Sequence, residues 1–195
     1  NPLLVAIAVI IVVLLAFHVD YKSYYEGAKY LSYLLTPATV CLAVPLYDQL
    51  ALLKKNMKAV LLGIFSGVAT SLLCVLAFAA IFHFDHERYV TFLPKSITTA
   101  IGMGVSEELG GIVTITVAAI IITGVVGNMI AETVCRLFRI EEPIARGVAI
   151  GSSAHAIGTV KAMEMGEIEG AMSGLSIAVA GILTVFGASI FANFI

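Results

Sequence analysis

The sequence carries very little charge. Lys, Arg, Asp and Glu make up 12% of its 195 residues, against about 25% in an ordinary soluble domain. The net charge of −2 gives no support for a nucleic-acid partner, and we predict none. Hydrophobic residues account for 60% of the chain, more apolar side chain than a domain of this size has interior volume to bury. The composition therefore predicts a protein whose solvent is the lipid bilayer.

The sequence also lacks the residue patterns that support catalysis or metal binding. Cys41, Cys74 and Cys135 lie in apolar runs at unrelated spacings, which gives no disulfide or CxxC framework. His83 and His86 flank one acidic residue in a polar stretch, a weak pattern for a metal site. A phosphate-binding glycine loop, a GxSxG turn and an HExxH pair are all missing. We therefore predict no enzymatic activity, metal or cofactor.

Long apolar runs predict the membrane helices. A helix needs about 20 apolar residues to span the hydrocarbon, and the sequence predicts such helices over 2–17, 59–82, 109–134 and 168–195. The first is expected to be cut short at its start, with more membrane segment preceding it in the natural chain. The predicted fold class is an all-α polytopic membrane protein.

Three other segments contain an uncharged stretch, but prolines, glycines or hydroxyl residues make each of them unsuited to a helix that faces lipid. Residues 30–53 are interrupted by Pro37 and Pro45, residues 94–108 contain SITTAIGMGVS, and residues 147–165 begin GVAIGSSAHAIGTV. Loosened backbone of this kind is tolerated at membrane depth only where protein covers it or water reaches it. We predict broken or re-entrant helices at all three. They share a register in which a hydroxyl residue lies 12 positions before a carboxylate: Thr36 and Asp48, Ser96 and Glu108, Ser152 and Glu164.

Basic residues predict the orientation in the membrane. Lysines cluster in a predicted loop at 54–58 and arginines at 136–146, and the positive-inside rule places both in the cytoplasm, with 83–93 outside. The halves 1–83 and 94–195 then each contain a long helix, a broken segment and a second long helix in the same order, and the two halves have opposite orientations in the membrane. This is the inverted-repeat plan of secondary transporters, whose interrupted helices meet at the substrate site. The sequence predicts a transporter-like bundle of this kind.

The interrupted segments are the predicted binding site. A half-helix that starts inside the membrane presents N–H groups and a partial positive charge, and hydroxyl side chains add donors that suit a small carboxylate. The alternative is that the hydroxyls only bond to backbone carbonyls or join helices. The candidate substrate-binding residues are Thr36, Thr39, Ser96, Thr98, Thr99, Ser152, Ser153 and His155.

Titratable residues in and beside these segments suggest proton coupling or gating. His155 is a histidine at membrane depth, where such a residue is costly unless it is paired or functional. Glu107, Glu108 and Glu164 lie just past their segments. The alternatives are a neutral, hydrogen-bonded histidine and carboxylates solvated at the membrane edge.

With these segments in view, the sequence resembles the LrgB/CidB antiholin-like family of bacterial inner-membrane proteins. The resemblance covers essentially the whole chain and is carried by LLTPATVCLAVPLYDQ at 34–49, PKSITTAIGMGVSEELGG at 94–111 and IGSSAHAIGTVKAMEMGEIEGAMSGL at 150–175. The family is associated with murein hydrolase activity and lysis, and its members work beside a smaller LrgA/CidA-type membrane protein. Related proteins transport pyruvate in bacteria, and glycolate and glycerate in plant plastids.

The residues predict a secondary transporter of small organic anions, and the resemblance implies that its substrates are small monocarboxylates such as pyruvate, glycolate, glycerate or lactate. It is expected to be a multi-pass protein of the bacterial inner membrane, in contact with lipid, working with an LrgA/CidA-like partner and forming a homo-oligomer. Proton coupling through His155 is part of this hypothesis. The alternative is an antiholin- or holin-like regulator of murein hydrolase activity and cell lysis.

Overall fold

The computed structural model describes residues 2–34, 37, 41 and 43–195. Thr36, Thr39 and the middle of the predicted broken segment 30–53 lie outside the described residues. The described residues are almost entirely helical and contain no strand, which confirms the all-α fold class. The chain falls into two compact units, Asn1–Val44 and Pro45–Ile195. In the described residues, three helices are long and apolar enough to cross a membrane, all in the second unit.

The first unit contains α1 (Pro2–Ala16) and α2 (Tyr21–Ser32). Helix α1 is apolar on every side, which fits a lipid environment. Helix α2 starts at Asp20, whose side chain accepts a hydrogen bond from the Lys22 backbone N–H at 3.0 Å. A short α3 (Ala43–Asp48) follows at the junction with the second unit.

Helix α4 (Leu50–Phe82) is the long helix of the second unit. It runs through Lys54, Lys55 and Lys58, so the prediction of a loop at 54–58 and a helix starting at 59 was wrong. At 33 residues the helix is roughly 50 Å long and exceeds the hydrocarbon thickness of about 30 Å. Its first turns can therefore lie outside the hydrocarbon, where lysine side chains reach water without ending the helix.

The chain after α4 folds back as a first hairpin, residues 83–111. It contains α5 (His86–Phe92) and α6 (Thr99–Glu108), joined by a loop that holds Lys95. The Lys95 ammonium donates a hydrogen bond to Ser71 of α4, eleven residues before Phe82. The loop therefore dips roughly 16 Å below the end of α4.

The first hairpin returns to the end from which it started. The backbone N–H of Ile112, just past α6, donates to Thr91 Oγ1 at 2.8 Å. The Thr116 hydroxyl lies near both arms, 2.9 Å from the Thr91 carbonyl and 2.7 Å from Ser106 Oγ. These bonds hold the beginning of α7 (Val113–Leu137) beside both arms of the hairpin.

Helix α8 (Pro143–Met165) forms a second hairpin because its backbone is broken at His155, with φ 43° and ψ −141°. In the first arm, Arg146 pairs with Glu169 across 3.7 Å. In the second arm, Met163 packs against Gly170, one residue further along the same neighbouring helix. Both ends of α8 therefore lie at the same level, and the helix turns back at His155.

Helix α9 (Glu167–Phe191), followed by a 3-10 turn (Ala192–Phe194), packs against both arms of α8. Its contact with the first arm is close at Gly147 and Gly151, where a Cβ would collide with the backbone of Glu169 and Ser173. The end of α9 reaches the first hairpin, where the Tyr89 hydroxyl donates to the Phe191 carbonyl at 3.0 Å.

The second unit thus has two distinguishable ends. The basic end carries the start of α4, the loop 138–142 and both termini of α8. The opposite end carries residues 83–91 and the end of α9. The two basic stretches, 54–58 and 136–146, lie at one end, as the orientation argument expects, and which face of the membrane this end occupies stays a prediction.

Candidate functional site

The two hairpins enter the second unit from opposite ends, and their tips lie close together. A Cβ at Gly67 of α4 would lie 2.8 Å from Ser152 Oγ in the second hairpin. One helical turn further along α4, Ser71 Oγ lies 3.1 Å from Ser96 Oγ in the first hairpin. Ser96 and Ser152 therefore contact neighbouring turns of the same helix.

A cavity of about 1040 Å³ lies between α4, α7, the first arm of α8 and the loop of the first hairpin. Its wall along α4 extends from Asn56 to Cys74, a distance of roughly 27 Å for 18 helical residues. The same wall includes Ile140 and Glu142 at the basic end and Lys95 at the far end. The cavity therefore runs from the basic end to the tip of the first hairpin.

The lining is mostly apolar, with hydroxyl groups distributed along it. Valine, isoleucine, alanine and glycine form most of the wall, and Lys95 and Glu142 are its charged members among the described residues. The hydroxyl residues of the lining are Ser66, Thr70, Ser71, Ser96, Thr123, Ser152 and Ser153. An apolar pocket with a few polar groups is the usual form of a small-molecule site.

Three polar groups converge at the far end of the cavity. The Lys95 ammonium donates to Ser96 Oγ at 3.0 Å and to Ser71 Oγ at 3.4 Å, and the two hydroxyls lie 3.1 Å apart. Lysine and hydroxyl donors grouped in this way can bind the oxygens of a small anion. We call Lys95, Ser71 and Ser96 the Lys95 cluster.

Three of the predicted site residues, Ser96, Ser152 and Ser153, line the cavity. Ser152 Oγ donates to the Val148 carbonyl and Ser153 Oγ to the Ala149 carbonyl, each at 2.7 Å. Their hydroxyl protons thus bond to the helix backbone, the alternative raised from the sequence. The lone pairs of these oxygens still contribute polarity to the cavity wall.

Thr98, Thr99 and His155 lie beside the cavity without lining it. The two threonines are half-buried at the start of α6. His155 is 2% exposed, and its Nε2 lies 3.0 Å from the Ile120 carbonyl oxygen of α7. Because a carbonyl only accepts hydrogen bonds, Nε2 carries the proton in this contact.

The predicted gating carboxylates lie at the ends of the hairpins. Glu107 and Glu108 are exposed at the end of α6. Glu164 is exposed at the basic end and pairs with Lys161 at 3.2 Å, while Lys161 also pairs with Glu132 of α7 at 3.3 Å. This ion-pair group joins the second arm of α8 to α7, and none of its members reaches the large cavity.

Lys95, Ser71 and the other hydroxyl residues of α4 in the cavity wall were not among the site residues predicted from the sequence. A signal for Lys95 was present, because it is a single charge beside a proline at the start of an uncharged segment predicted to enter the membrane. Ser66, Thr70 and Ser71 have no such signal, since scattered hydroxyls are ordinary in membrane helices. In the part of the chain that the structure describes, no group of three or more His, Cys, Asp or Glu could hold a metal ion.

Long apolar helices with two hairpins that return to their starting ends define this chain as a polytopic membrane protein. It belongs to the LrgB-like family, whose model matches residues 1–194. It is 38% identical to the holin-like protein CidB of Staphylococcus epidermidis over 94% of this chain and 80% of the relative. The Staphylococcus aureus CidB, with the same coverage, is 37% identical.

The Bacillus subtilis protein YwbG is 38% identical over the whole of this chain and 86% of its own length. No solved structure is significantly similar to the chain.

Proposed function

We propose that this protein is a secondary transporter of small monocarboxylates, such as pyruvate, glycolate, glycerate or lactate, in the bacterial inner membrane. One observation carries the proposal: a cavity runs from the basic end to a cluster of hydroxyls where two oppositely directed hairpins meet. Interrupted segments that meet inside the membrane are the usual setting of transporter substrate sites. The first hairpin lies beyond the cluster and separates it from the opposite end.

This arrangement supports transport by alternating access. In the described state the cavity reaches the basic end, so substrate enters and leaves from that side. Movement of one hairpin tip relative to α4 would open the Lys95 cluster to the opposite side. A proton-coupling role for His155 stays a prediction; its place behind the cavity wall means that it would act without lining the site.

Reconstitution tests the proposal directly. Purified protein in proteoliposomes should take up labelled pyruvate, glycolate or lactate with saturation kinetics, and an imposed pH gradient should change the rate if protons are coupled. Ser96→Ala should lower uptake. Ser189→Ala is the matched control, because Ser189 is exposed on α9 and its hydroxyl donates to the Val185 carbonyl of the same helix. Uptake by wild-type proteoliposomes no faster than by empty liposomes would rule out the carrier.

A holin-like regulator of murein hydrolase activity and cell lysis is the second candidate, and the relatives favour it over transport. Two curated relatives at 37–38% identity carry the name holin-like protein, and neither name mentions a transported substrate. A holin-like pore should pass solutes without selectivity. Release of dyes of increasing size from liposomes distinguishes the two: a pore releases them in order of size, and a saturable carrier retains them all.

The two candidates are compatible, since a change in carboxylate flux can itself alter cell lysis. Both allow a small LrgA/CidA-like membrane protein as partner, and both allow a homo-oligomer. Co-purification from a membrane that contains both proteins, followed by cross-linking, tests each association.

A further inference from the structure

We propose that Lys95 is the counter-ion of the transported carboxylate, with the hydroxyls of Ser71 and Ser96 completing the binding site. The inference rests on the proposed function and extends it, because it names the residue that selects an anion with one carboxylate.

The position of Lys95 makes its charge costly without an anion. Its ammonium lies beside Ser71 of α4. Ser71 is roughly 16 Å along the helix from Phe82, the last residue of α4. A basic side chain so deep in a membrane protein faces the bundle interior or a water-filled cavity and pairs with an opposite charge or with backbone carbonyls. Lys95 faces the cavity, which meets the first condition.

The second condition is unmet by the described residues. The ion pairs recorded among the described residues of the second unit join another arginine or lysine to a carboxylate near the ends of helices. No carboxylate among the described residues lies within 4 Å of Lys95 Nζ, whose hydrogen bonds go to two neutral hydroxyls. Glu142, the acidic residue of the lining, is at the basic end, near the start of α8. An anion that enters the cavity would supply the missing charge.

The donor geometry matches one carboxylate. Two hydroxyl oxygens 3.1 Å apart share one ammonium, so the three groups can donate to both oxygens of a single carboxylate. Hydrogen bonds between charged partners are roughly twice as strong as neutral ones. Among the described residues, the lining holds no second cation for a second carboxylate, and the site should therefore prefer lactate or pyruvate to succinate.

Cys74 provides a binding test that does not depend on transport. It lies on the cavity wall three residues after Ser71, so a bound anion should slow its reaction with a thiol reagent. The purified full chain would carry Cys41→Ala and Cys135→Ala, leaving Cys74 as the single thiol. The concentration of lactate that halves the labelling rate measures binding, with succinate and chloride as comparison anions.

In this background, Lys95→Met should raise the half-protecting lactate concentration by about tenfold or more. Lys95→Arg should retain part of the protection. Lys55→Met should leave it unchanged, because Lys55 is exposed at the basic end and lies off the cavity wall. Ser96→Ala, which keeps the charge, should weaken protection less than Lys95→Met does, and it serves as the test if the methionine variant does not fold.

The outcomes separate this inference from the proposed function. Protection by lactate without uptake in proteoliposomes would leave the site standing and remove transport. Uptake by Lys95→Met with an unchanged half-saturation concentration would leave transport standing and overturn the role of Lys95. Absence of any protection by lactate, pyruvate and glycolate overturns the inference, as does equal protection by chloride or succinate. If Lys95→Met does not fold, unchanged protection in Ser96→Ala overturns it.

Discussion

His155 Nε2 and the carbonyl oxygen of Ile120 lie 3.0 Å apart, so the turning point of the second hairpin is attached to α7 by a buried hydrogen bond. His155 has a positive φ of 43°, which is unfavourable for every residue other than glycine. Gly124 of α7 lies close to the imidazole, because a Cβ at this position would come within 2.7 Å of the Cε1 atom of His155. The turn therefore combines backbone strain with a polar contact that compensates for it.

This combination predicts an unusual order of stabilities for substitutions at position 155. Both His155→Ala and His155→Gly lose the hydrogen bond, which should cost about 1–3 kcal/mol, but glycine also removes the strain. We expect the glycine variant to be more stable than the alanine variant by about 1 kcal/mol. Unfolding in detergent, followed by circular dichroism, measures the difference.

His83→Gly is the control for the strain term. His83 ends α4 with φ 52° and is exposed. Glycine there should stabilise the protein, because it relieves a left-handed residue at a helix C-terminus without loss of a buried contact. Equal stability of the alanine and glycine variants at position 155 would show that the positive φ stores no strain.

The proton-coupling hypothesis for His155 makes a separate prediction. His155→Gln keeps an N–H donor for the Ile120 carbonyl but cannot titrate, so it should insert and bind substrate while its uptake responds little to pH. Uptake measured from pH 5 to 8 in proteoliposomes tests this. A pH profile identical to that of the wild type would make the histidine structural and move any coupling to the carboxylates.

Close packing around the second hairpin predicts which glycines tolerate a methyl group. A Cβ at Gly151 would collide with the backbone of Ser173, so Gly151→Ala must separate α8 from α9 and should strongly destabilise the protein. Gly104→Ala is matched to it, because nothing lies within 4 Å of a Cβ at that helical position. It should be neutral or stabilising by about 0.5–1 kcal/mol. Melting temperatures in detergent rank the two variants, and equal values would contradict the described packing.

Labelling of single cysteines tests the orientation in the membrane. Asn56 lies at the basic end of α4 and His86 at the opposite end, bonded to the backbone carbonyl of Ile195 at 2.6 Å. In a chain without its natural cysteines, Asn56→Cys should react with a membrane-impermeant thiol reagent only from the cytoplasm, and His86→Cys only from outside. Reaction of both from one side would reject the arrangement.

Much of the second unit was predictable because the membrane restricts backbone so strongly. Glycine and hydroxyl residues in 94–108 and 147–165 argued against lipid-facing helix, and both segments are hairpin components in the structure. The shared register also has a physical meaning there. Ser96 lies three residues before the start of α6, and Ser152 lies three residues before the break at His155. In each hairpin the returning arm then has ten residues, 99–108 and 155–164, and it ends at the carboxylate of the register, Glu108 or Glu164. The inverted repeat itself stays a prediction.

Other features depend on contacts that composition does not encode. Whether residues 147–165 cross the membrane or turn back is decided by the packing of both arms on α9, the first arm through Gly147 and Gly151 and the second through Met163, which lies against Gly170. The continuation of α4 through its lysines follows from its length relative to the bilayer, which a search for charge-free runs cannot detect. Lys95 lies beside Ser71 only because the first hairpin folds back along α4.

Because the second hairpin returns to the basic end, it also determines whether the number of membrane crossings in the second unit is odd or even. Helix α8 adds 23 residues but ends at the level where it began, so in the second unit only α4, α7 and α9, the helices long and apolar enough to cross a membrane, would transfer the chain to the other compartment. With that odd number of crossings, the beginning of α4 and the end of α9 belong to different compartments. A topology diagram that counted α8 as a crossing because of its length would place everything after Met165 on the wrong side.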